Sequence, residues 1–291
     1  MNATVRLAEI PLQSAWEASL DLGFACRATR TVLARNAHFG PLRVQKALYP
    51  ERDAVCQAIV LHPPSGIAGG DRLNIHVAAG KPSQVQVTTP GAGKWYRSAG
   101  PLATQHVSIH AGPGATVEWL PQENIVFDGA IAHMGTTIEL ATDARLIAWD
   151  ILCLGRSAAG ERFCNGRFDL TMSINRDGVP LWRERGGFDG GDMLLDSTIA
   201  WAGHTVSGTL LASFPGLPQQ AAALLERCRA IQPDDAAAHS LPALPNAGGL
   251  LIARYLGDSG EAARRWLTSL WHEIRPACCG RAALNPRIWN T

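Results

Sequence analysis

Alternation of apolar and polar positions dominates the first two-thirds of the chain. From Trp16 to Phe24 the apolar residues Ala18, Leu20, Leu22 and Phe24 fall on every second position, the period of a strand with one buried face. Thr31 to Arg35 is short and β-branched. Val55 to Leu61 is mostly apolar and runs into His62-Pro63-Pro64. Strand patterns return at Leu73–Val77, Gln84–Thr88, Gln105–His110, Ala115–Leu120, Thr137–Leu140, Leu146–Leu152 and Phe168–Ile174. Turn formers separate nearly all of them: Pro90-Gly91, Gly112-Pro113-Gly114, Asp128-Gly129 and Asp177-Gly178-Val179-Pro180. No strict repeat of fixed period is present, which disfavours a leucine-rich or propeller array. Near residue 218 the pattern changes. Leu224, Cys228 and Ile231 share one face of a helix predicted over Gln219–Ile231, behind Pro218 and before Pro233. A Pro- and Ala-rich connector, 233–247, leads to a strand at Leu250–Leu256. A second helix opens at Asp258-Ser259-Gly260-Glu261, where Asp with Glu three residues later resembles a capping box. Ala263, Trp266, Leu267, Leu270, Trp271 and Ile274 form its apolar stripe, and Pro276 is expected to end it. The expected fold is mainly β: a β-rich body over about 1–217 and two α-helices in a part spanning about 218–291, together one domain over 1–291.

Composition narrows the function classes. Lys and Arg number 26 and Asp and Glu 25, so a net charge of +1 gives no general pull on nucleic acid or an anionic membrane. Charged residues are 18%, and Gly (29) and Pro (18) are frequent, which suits short strands and tight turns rather than a helical bundle. Met1–Leu20 has no apolar h-region, being interrupted by Glu9 and Glu17, and no apolar run is long enough to span a bilayer. Seven cysteines, an odd number with no Cys-x-x-Cys, suit reduced thiols in a cytosol. Cys278 and Cys279 are adjacent, but a zinc site needs further Cys or His at set spacing.

Several chemical motifs fail on inspection. Pro90-Gly91-Ala92-Gly93-Lys94 has Thr88 and Trp95 where a phosphate loop needs Gly and Ser or Thr. No Gly-x-Ser-x-Gly or His-Glu-x-x-His occurs. His106 and His110, four apart on a strand, lie about 13 Å apart at ~3.3 Å per residue, too far for one ion; they read as solvated. His62, at a strand end, reads as a turn histidine satisfied by backbone. Three carboxylates are harder to dismiss. Asp71 follows Ile67-Ala68-Gly69-Gly70, Asp150 sits inside Ala148-Trp149-Asp150-Ile151-Leu152, and Glu184 follows Leu181-Trp182 between Arg183 and Arg185. Each should be paired, with Lys94, Arg97, Arg156 or Arg162 as partners, or should line a polar channel. Nine tryptophans against three tyrosines form the second unusual feature. Trp266 and Trp271 on the late helix are the candidates for partner contact.

Taken together, these blocks resemble the urease accessory protein UreD (UreH) family. The resemblance is carried by His62-Pro63-Pro64-Ser65-Gly66-Ile67-Ala68-Gly69-Gly70-Asp71 and by Thr89-Pro90-Gly91-Ala92-Gly93-Lys94-Trp95-Tyr96-Arg97-Ser98. It continues through Glu118-Trp119-Leu120-Pro121-Gln122-Glu123, Asp128-Gly129-Ala130, Ala148 to Arg156 with Gly160-Glu161, and Pro286-Arg287-Ile288-Trp289-Asn290-Thr291. The blocks cover nearly the whole chain in order. Ser65 stands where the family often has Gly, and Gly93 where a small polar residue is also seen.

The resemblance implies a β-rich body with a helical, solenoid-like strand arrangement and two α-helices. It implies a cytoplasmic scaffold rather than an enzyme, with no resident cofactor and Ni²⁺ in transit. Its implied partners are urease apoprotein, UreF and, through UreF, the GTPase UreG, with neither nucleic acid nor membrane involved. On that footing Asp71, Asp150 and Glu184 are expected to line a nickel passage, with Glu118, Glu123 and Glu161 as second choices. Trp266, Leu270 and Trp271, with Arg287 and Trp289 of the tail, are expected to face UreF. The rival class is a β-solenoid carbohydrate-active enzyme using paired carboxylates. A metal-storage protein would want clustered His or Cys, which the chain lacks.

Overall fold

The computed structural model describes residues 15–235, 238–241, 243–244 and 249–290. The stretch 1–14, most of the segment read above for a leader, lies outside them, as do parts of the 233–247 connector. In chain order the strands are β1 (Glu17–Arg27), β2 (Arg30–Phe39), β3 (Val55–Ile59), β4 (Arg72–Ala79), β5 (Gln84–Thr88), β6 (Gly93–Trp95), β7 (Ala103–Ala111), β8 (Thr116–Leu120) and β9 (Asn124–Val126). They continue with β10 (Ile131–Leu140), β11 (Arg145–Leu154), β12 (Arg167–Arg176), β13 (Val179–Asp189), β14 (Val206–Ser213), β15 (His239–Ser240), β16 (Ala243–Leu244) and β17 (Leu250–Gly257). The helices are α1 (Met193–Asp196), α2 (Leu217–Arg229) and α3 (Gly260–Cys279).

The chain winds as a solenoid. From β4 to β12 it crosses back and forth between two sheets and stacks each new strand parallel to the one a coil earlier. The first sheet has the order β13-β12-β10-β7-β4-β1-β2 and the second β15-β17-β14-β11-β8-β5-β3. Coil length is uneven. In the first sheet Arg72 lies beside Thr104, Thr104 beside His133 and His133 beside Asp169, steps of 32, 29 and 36 residues. In the second, Val55, Gln84, Thr116 and Arg145 lie side by side at steps of 29, 32 and 29. A stacked architecture thus exists without a fixed sequence period.

Three layers result: first sheet, second sheet, helices. Side-chain alternation on β11 sends Leu146, Ala148 and Leu152 between the sheets, and Ile147, Trp149 and Ile151 towards α2 and α3. A strand covered on both faces reads as a nearly continuous apolar run, as β11 does apart from Asp150. The outer face of the first sheet is polar, and His106 and His110 are exposed there.

Three local expectations need correction. Asp177 (φ +49°) and Gly178 (φ +76°) alone make the turn after β12, and β13 begins at Val179. Two positive φ angles match the right-handed twist of the flanking strands, and Pro180 is tolerated because β13 is an edge. The cap of α3 is Ser259, whose Oγ accepts from the Ala262 N–H at 3.1 Å; Asp258 instead accepts from Thr205 N at 3.0 Å and pairs with His204. Pro276 does not end α3. It removes one backbone bond, but the helix continues to Cys279 and closes at Gly280 (φ +69°), whose N–H donates to the Pro276 carbonyl at 3.0 Å.

Candidate functional site

The alternation that sends Trp149 towards the helices sends Asp150 the other way, into the layer between the sheets. A cavity of about 310 Å³ lies there, bounded by His62, Gln105, Asn124, Met134, Met172 and Asp150 among others. A second cavity, about 200 Å³, is bounded by Asp150, Glu184, Phe188, Trp201 and Arg254. Asp150 is a wall of both, so its exposed surface faces these cavities.

Its environment is defined atom by atom. The Trp95 indole N–H donates to Asn124 Oδ1 at 3.2 Å, and Asn124 Nδ2 donates to Asp150 Oδ1 at 3.0 Å. Indole can only donate, so Trp95 fixes which end of the Asn124 amide faces Asp150. Gly93 makes room for this amide: a Cβ there would lie 2.9 Å from Asn124 Oδ1. Among the described residues no Lys, Arg or His forms an ion pair with Asp150. Burial pushes its pKa up to about 6, against the lowering effect of the Asn124 hydrogen bond, and the nearby Glu184 charge pushes the same way as burial. Glu184, on β13, is held by Arg254 Nη1 at 2.6 Å and by the Trp182 indole at 3.3 Å. The neighbouring Cys153 thiol is pushed up to about 12 by burial, Glu123 and Asp150, which keeps it unreactive.

The other expected passage residues sit elsewhere and line neither cavity. Asp71 is 2% exposed and accepts from Trp16 N at 2.7 Å and Ala68 N at 2.8 Å, tying the Gly-rich turn to the start of the chain. Glu118 faces α3, where Arg275 Nε donates to it at 2.9 Å and the Trp271 indole at 2.7 Å. Arg275 also pairs with Glu51 at 2.5 Å. Glu123 lies 3.6 Å from Arg264, and Glu161 pairs with Arg156 at 2.5 Å and accepts from Asp128 N. None of the four cations suggested for Asp71, Asp150 and Glu184 pairs with them: Arg97 holds Asp128, Arg156 holds Glu161 and Arg162 holds Asp196, while Lys94 borders the larger cavity.

The expected partner face is also largely internal. Trp266, Leu270 and Trp271 are buried between α3 and the second sheet. Their period-3.6 stripe marks core, and these side chains are not presented to solvent. Arg287 is exposed and Trp289 half-buried, its indole donating to Thr88 Oγ1 at 2.8 Å and its ring 5.4 Å from Trp149 and 5.8 Å from Trp271. Sequence reasoning missed Asn124, Met134, Met172, Arg254 and Arg275; only Asn124, beside the Pro121-Gln122-Glu123 block, had a signal. His62 does open a turn, its carbonyl accepting from Ser65 N at 2.8 Å, but its ring is not satisfied there: Nε2 is buried without a hydrogen-bond partner. Among the described residues no group of three or more His, Cys, Asp or Glu converges to hold a metal ion.

Residues 17–290 match the family model of the UreD urease accessory protein. The chain belongs to the UreD family. It is 62% identical to the urease accessory protein UreD of Dechloromonas aromatica (strain RCB), over the full length of both chains. It is 50% identical to UreD of Nitrosococcus oceani, over 96% of this chain and 92% of that protein. UreD of Pseudomonas aeruginosa PAO1 is likewise 50% identical, over 99% of this chain and all of its own. UreD membership makes the chain a urease accessory protein rather than an enzyme, and sets aside the carbohydrate-active reading. It also fits the backbone at Ser65, whose φ of +62° is the conformation that favours the Gly of the UreD motif. No helix among the described residues is long and apolar enough to cross a membrane.

Proposed function

We propose that this chain is a cytoplasmic scaffold of urease maturation that binds urease apoprotein and UreF, with UreG reached through UreF, and passes Ni²⁺ between its two sheets. Residues 1–291 act as one unit in this reading. One observation carries the passage: Asp150, unpaired by any cation among the described residues, forms a common wall of two cavities, and Glu184 lines the second with it. A carboxylate that has no fixed counter-ion lowers the cost of moving a dication through a low-dielectric layer. A single carboxylate with water does not hold the ion as a cage of His and Cys would. Glu184 stands ready to exchange its Arg254 partner. Asp71, Glu118, Glu123 and Glu161 serve as structural anchors away from the two cavities. For UreF, the exposed Arg287 and the accessible edge of Trp289 are the part of the expected face that reaches solvent.

Co-expression with urease apoprotein, with and without UreF, followed by affinity capture and urease assay, tests both parts. Asp150→Ala should leave the captured complex intact and lower urease activation about tenfold; normal activation by an assembled Asp150→Ala complex overturns the passage. Arg287→Ala should weaken UreF capture while apourease capture persists. Truncation after Gly280 is a poorer test, because Ala282 accepts from Arg275 and Trp289 packs on Trp149.

A further inference from the structure

Stacking of the coils brings two imidazoles together on the outer face of the first sheet. His106 on β7 lies beside Gly135 on β10, and Gly135 lies beside Thr171 on β12. His133 stands two residues before Gly135 on the same strand. Gln105, Val107, Met134 and Thr136 line the larger cavity, so alternation sends His106, His133 and Gly135 to the opposite, outer face. His106 is exposed there and His133 half-buried. The glycine is the unusual member. Glycine weakens a strand interior, and the φ of Gly135 lies outside the left-handed region, so the backbone does not demand it. What its missing side chain allows is a close approach: a Cβ at 135 would lie 2.7 Å from His106 Nδ1, 3.3 Å from His133 Nε2 and 3.3 Å from Thr171 Oγ1. The two ring nitrogens are therefore no more than about 6 Å apart, over one notch in the sheet. Thr171 Oγ1 also lies 3.4 Å from His133 Nε2 and steadies that ring. His106 and His110 are too far apart along β7 for one ion; the partner of His106 comes from the next coil.

We propose that His106 Nδ1 and His133 Nε2 together bind one borderline first-row dication over Gly135, with water completing its coordination. Histidine χ2 is broad, so modest ring rotations bring both nitrogens to the ~2.0–2.1 Å of a metal–imidazole bond. Imidazole suits Ni²⁺, Cu²⁺ and Zn²⁺, whereas Mg²⁺ and Ca²⁺ favour oxygen ligands. Two protein ligands open to solvent exchange their ion readily, in keeping with the absence of a group of three or more ligands among the described residues. The site is independent of the passage reading, because Asp150 belongs to the second sheet and faces the space between the sheets.

The nine histidines supply the probes. The untagged full-length chain, labelled with ¹³C at histidine Cε1 and assigned by single substitutions, is titrated with Ni²⁺ and separately with Mg²⁺. Ni²⁺ should broaden His106 and His133 together, at concentrations that leave His204 and His272 sharp, and Mg²⁺ should change neither. His133→Gln should raise the Ni²⁺ needed to broaden His106 by about tenfold, and His106→Gln should do the same for His133. Gly135→Ala keeps both imidazoles but fills the notch, and should also weaken binding by about tenfold. Unchanged positions of the other histidines without metal certify that each variant is folded. If His106 broadens at the wild-type Ni²⁺ concentration after His133→Gln, the rings bind separately and the shared site is overturned. Wild-type binding by Gly135→Ala would overturn it too, since the notch would then not be what gathers the rings. So would a wild-type chain in which His106 and His133 broaden no earlier than His204.

Discussion

The two faces of the second sheet hold their acids in opposite ways. Glu118, on the face towards α3, is 2% exposed, and both its oxygens are bonded by Arg275, with Trp271 adding a third donor group. Asp150, on the face towards the first sheet, has the Asn124 amide and the Ile151 backbone as donors and no cation, and it lines two cavities. The chemistry of the side chains is the same; the layers differ. Between sheet and helices the space is filled, and an ion there must bring its own partner, because an uncompensated charge costs several kcal/mol. Between the sheets the packing is incomplete, and the carboxyl pays with its pKa instead. Raising it from 3.8 to about 6 corresponds to about 3 kcal/mol against the ionised form. A pair that closes a layer is architecture; a charge kept without a partner is the mark of use.

The largest expected effect lies on the filled face. Arg275→Ala leaves Glu118 buried without its cation and Glu51 with only Arg281 at 3.9 Å, and should cost about 3–5 kcal/mol, read as a fall in the thermal midpoint by circular dichroism. Pairing it with Glu118→Gln should restore part of the loss. A cost below about 1 kcal/mol would mean that the layer is wet and the contrast false.

Asp150→Asn should act in the opposite sense. The folded chain holds this proton more tightly than the unfolded chain, so native stability falls as pH rises from about 4 through about 6, and the loss is complete above that. Asparagine removes the dependence. It should raise stability by up to about 3 kcal/mol at pH 7 and leave it unchanged below about pH 4. Urea unfolding at the two pH values reads this directly; an equal change at both would show that the carboxyl is neutralised by something other than its proton.

The smallest effect calibrates the first. Ser259→Ala removes the N-cap of α3 without touching a charge and should cost about 1 kcal/mol with no pH dependence. If it matched Arg275→Ala, the ion pair would be worth no more than ordinary helix docking.

Much of this was legible in the residues. The period-two runs located most of the strands because one-sided burial forces alternation, and the two helices followed from their apolar stripes. β14 escaped because Val206–Ser213 is covered on both sides and shows no alternation. β13 escaped because Arg183, Glu184 and Arg185 break the pattern at an edge strand. Asp150 stood out, since a lone acid in an apolar run must be explained. Its contrast with Glu118 was not visible, because which neighbour each strand position faces depends on how the solenoid stacks. Arg275 gave no local sign; its partners are 157 and 224 residues away. The tryptophan stripe misled for a related reason: aromatic residues suit an interface and a core equally well.

That separation in sequence bears on how the chain emerges during synthesis. The stacked strands pair with neighbours about one coil back, so they can assemble as they leave the ribosome, N-terminal coils first. Glu51 and Glu118 are then already present, yet the guanidinium that neutralises them lies 224 and 157 residues further on. Until that segment is released, Glu118 on the outer face of the second sheet, and Glu51 in the turn before β3, lack the guanidinium that pairs with them. The last helix therefore closes the third layer from a distance: until residues 260–279 have emerged, Glu118 has no guanidinium to meet.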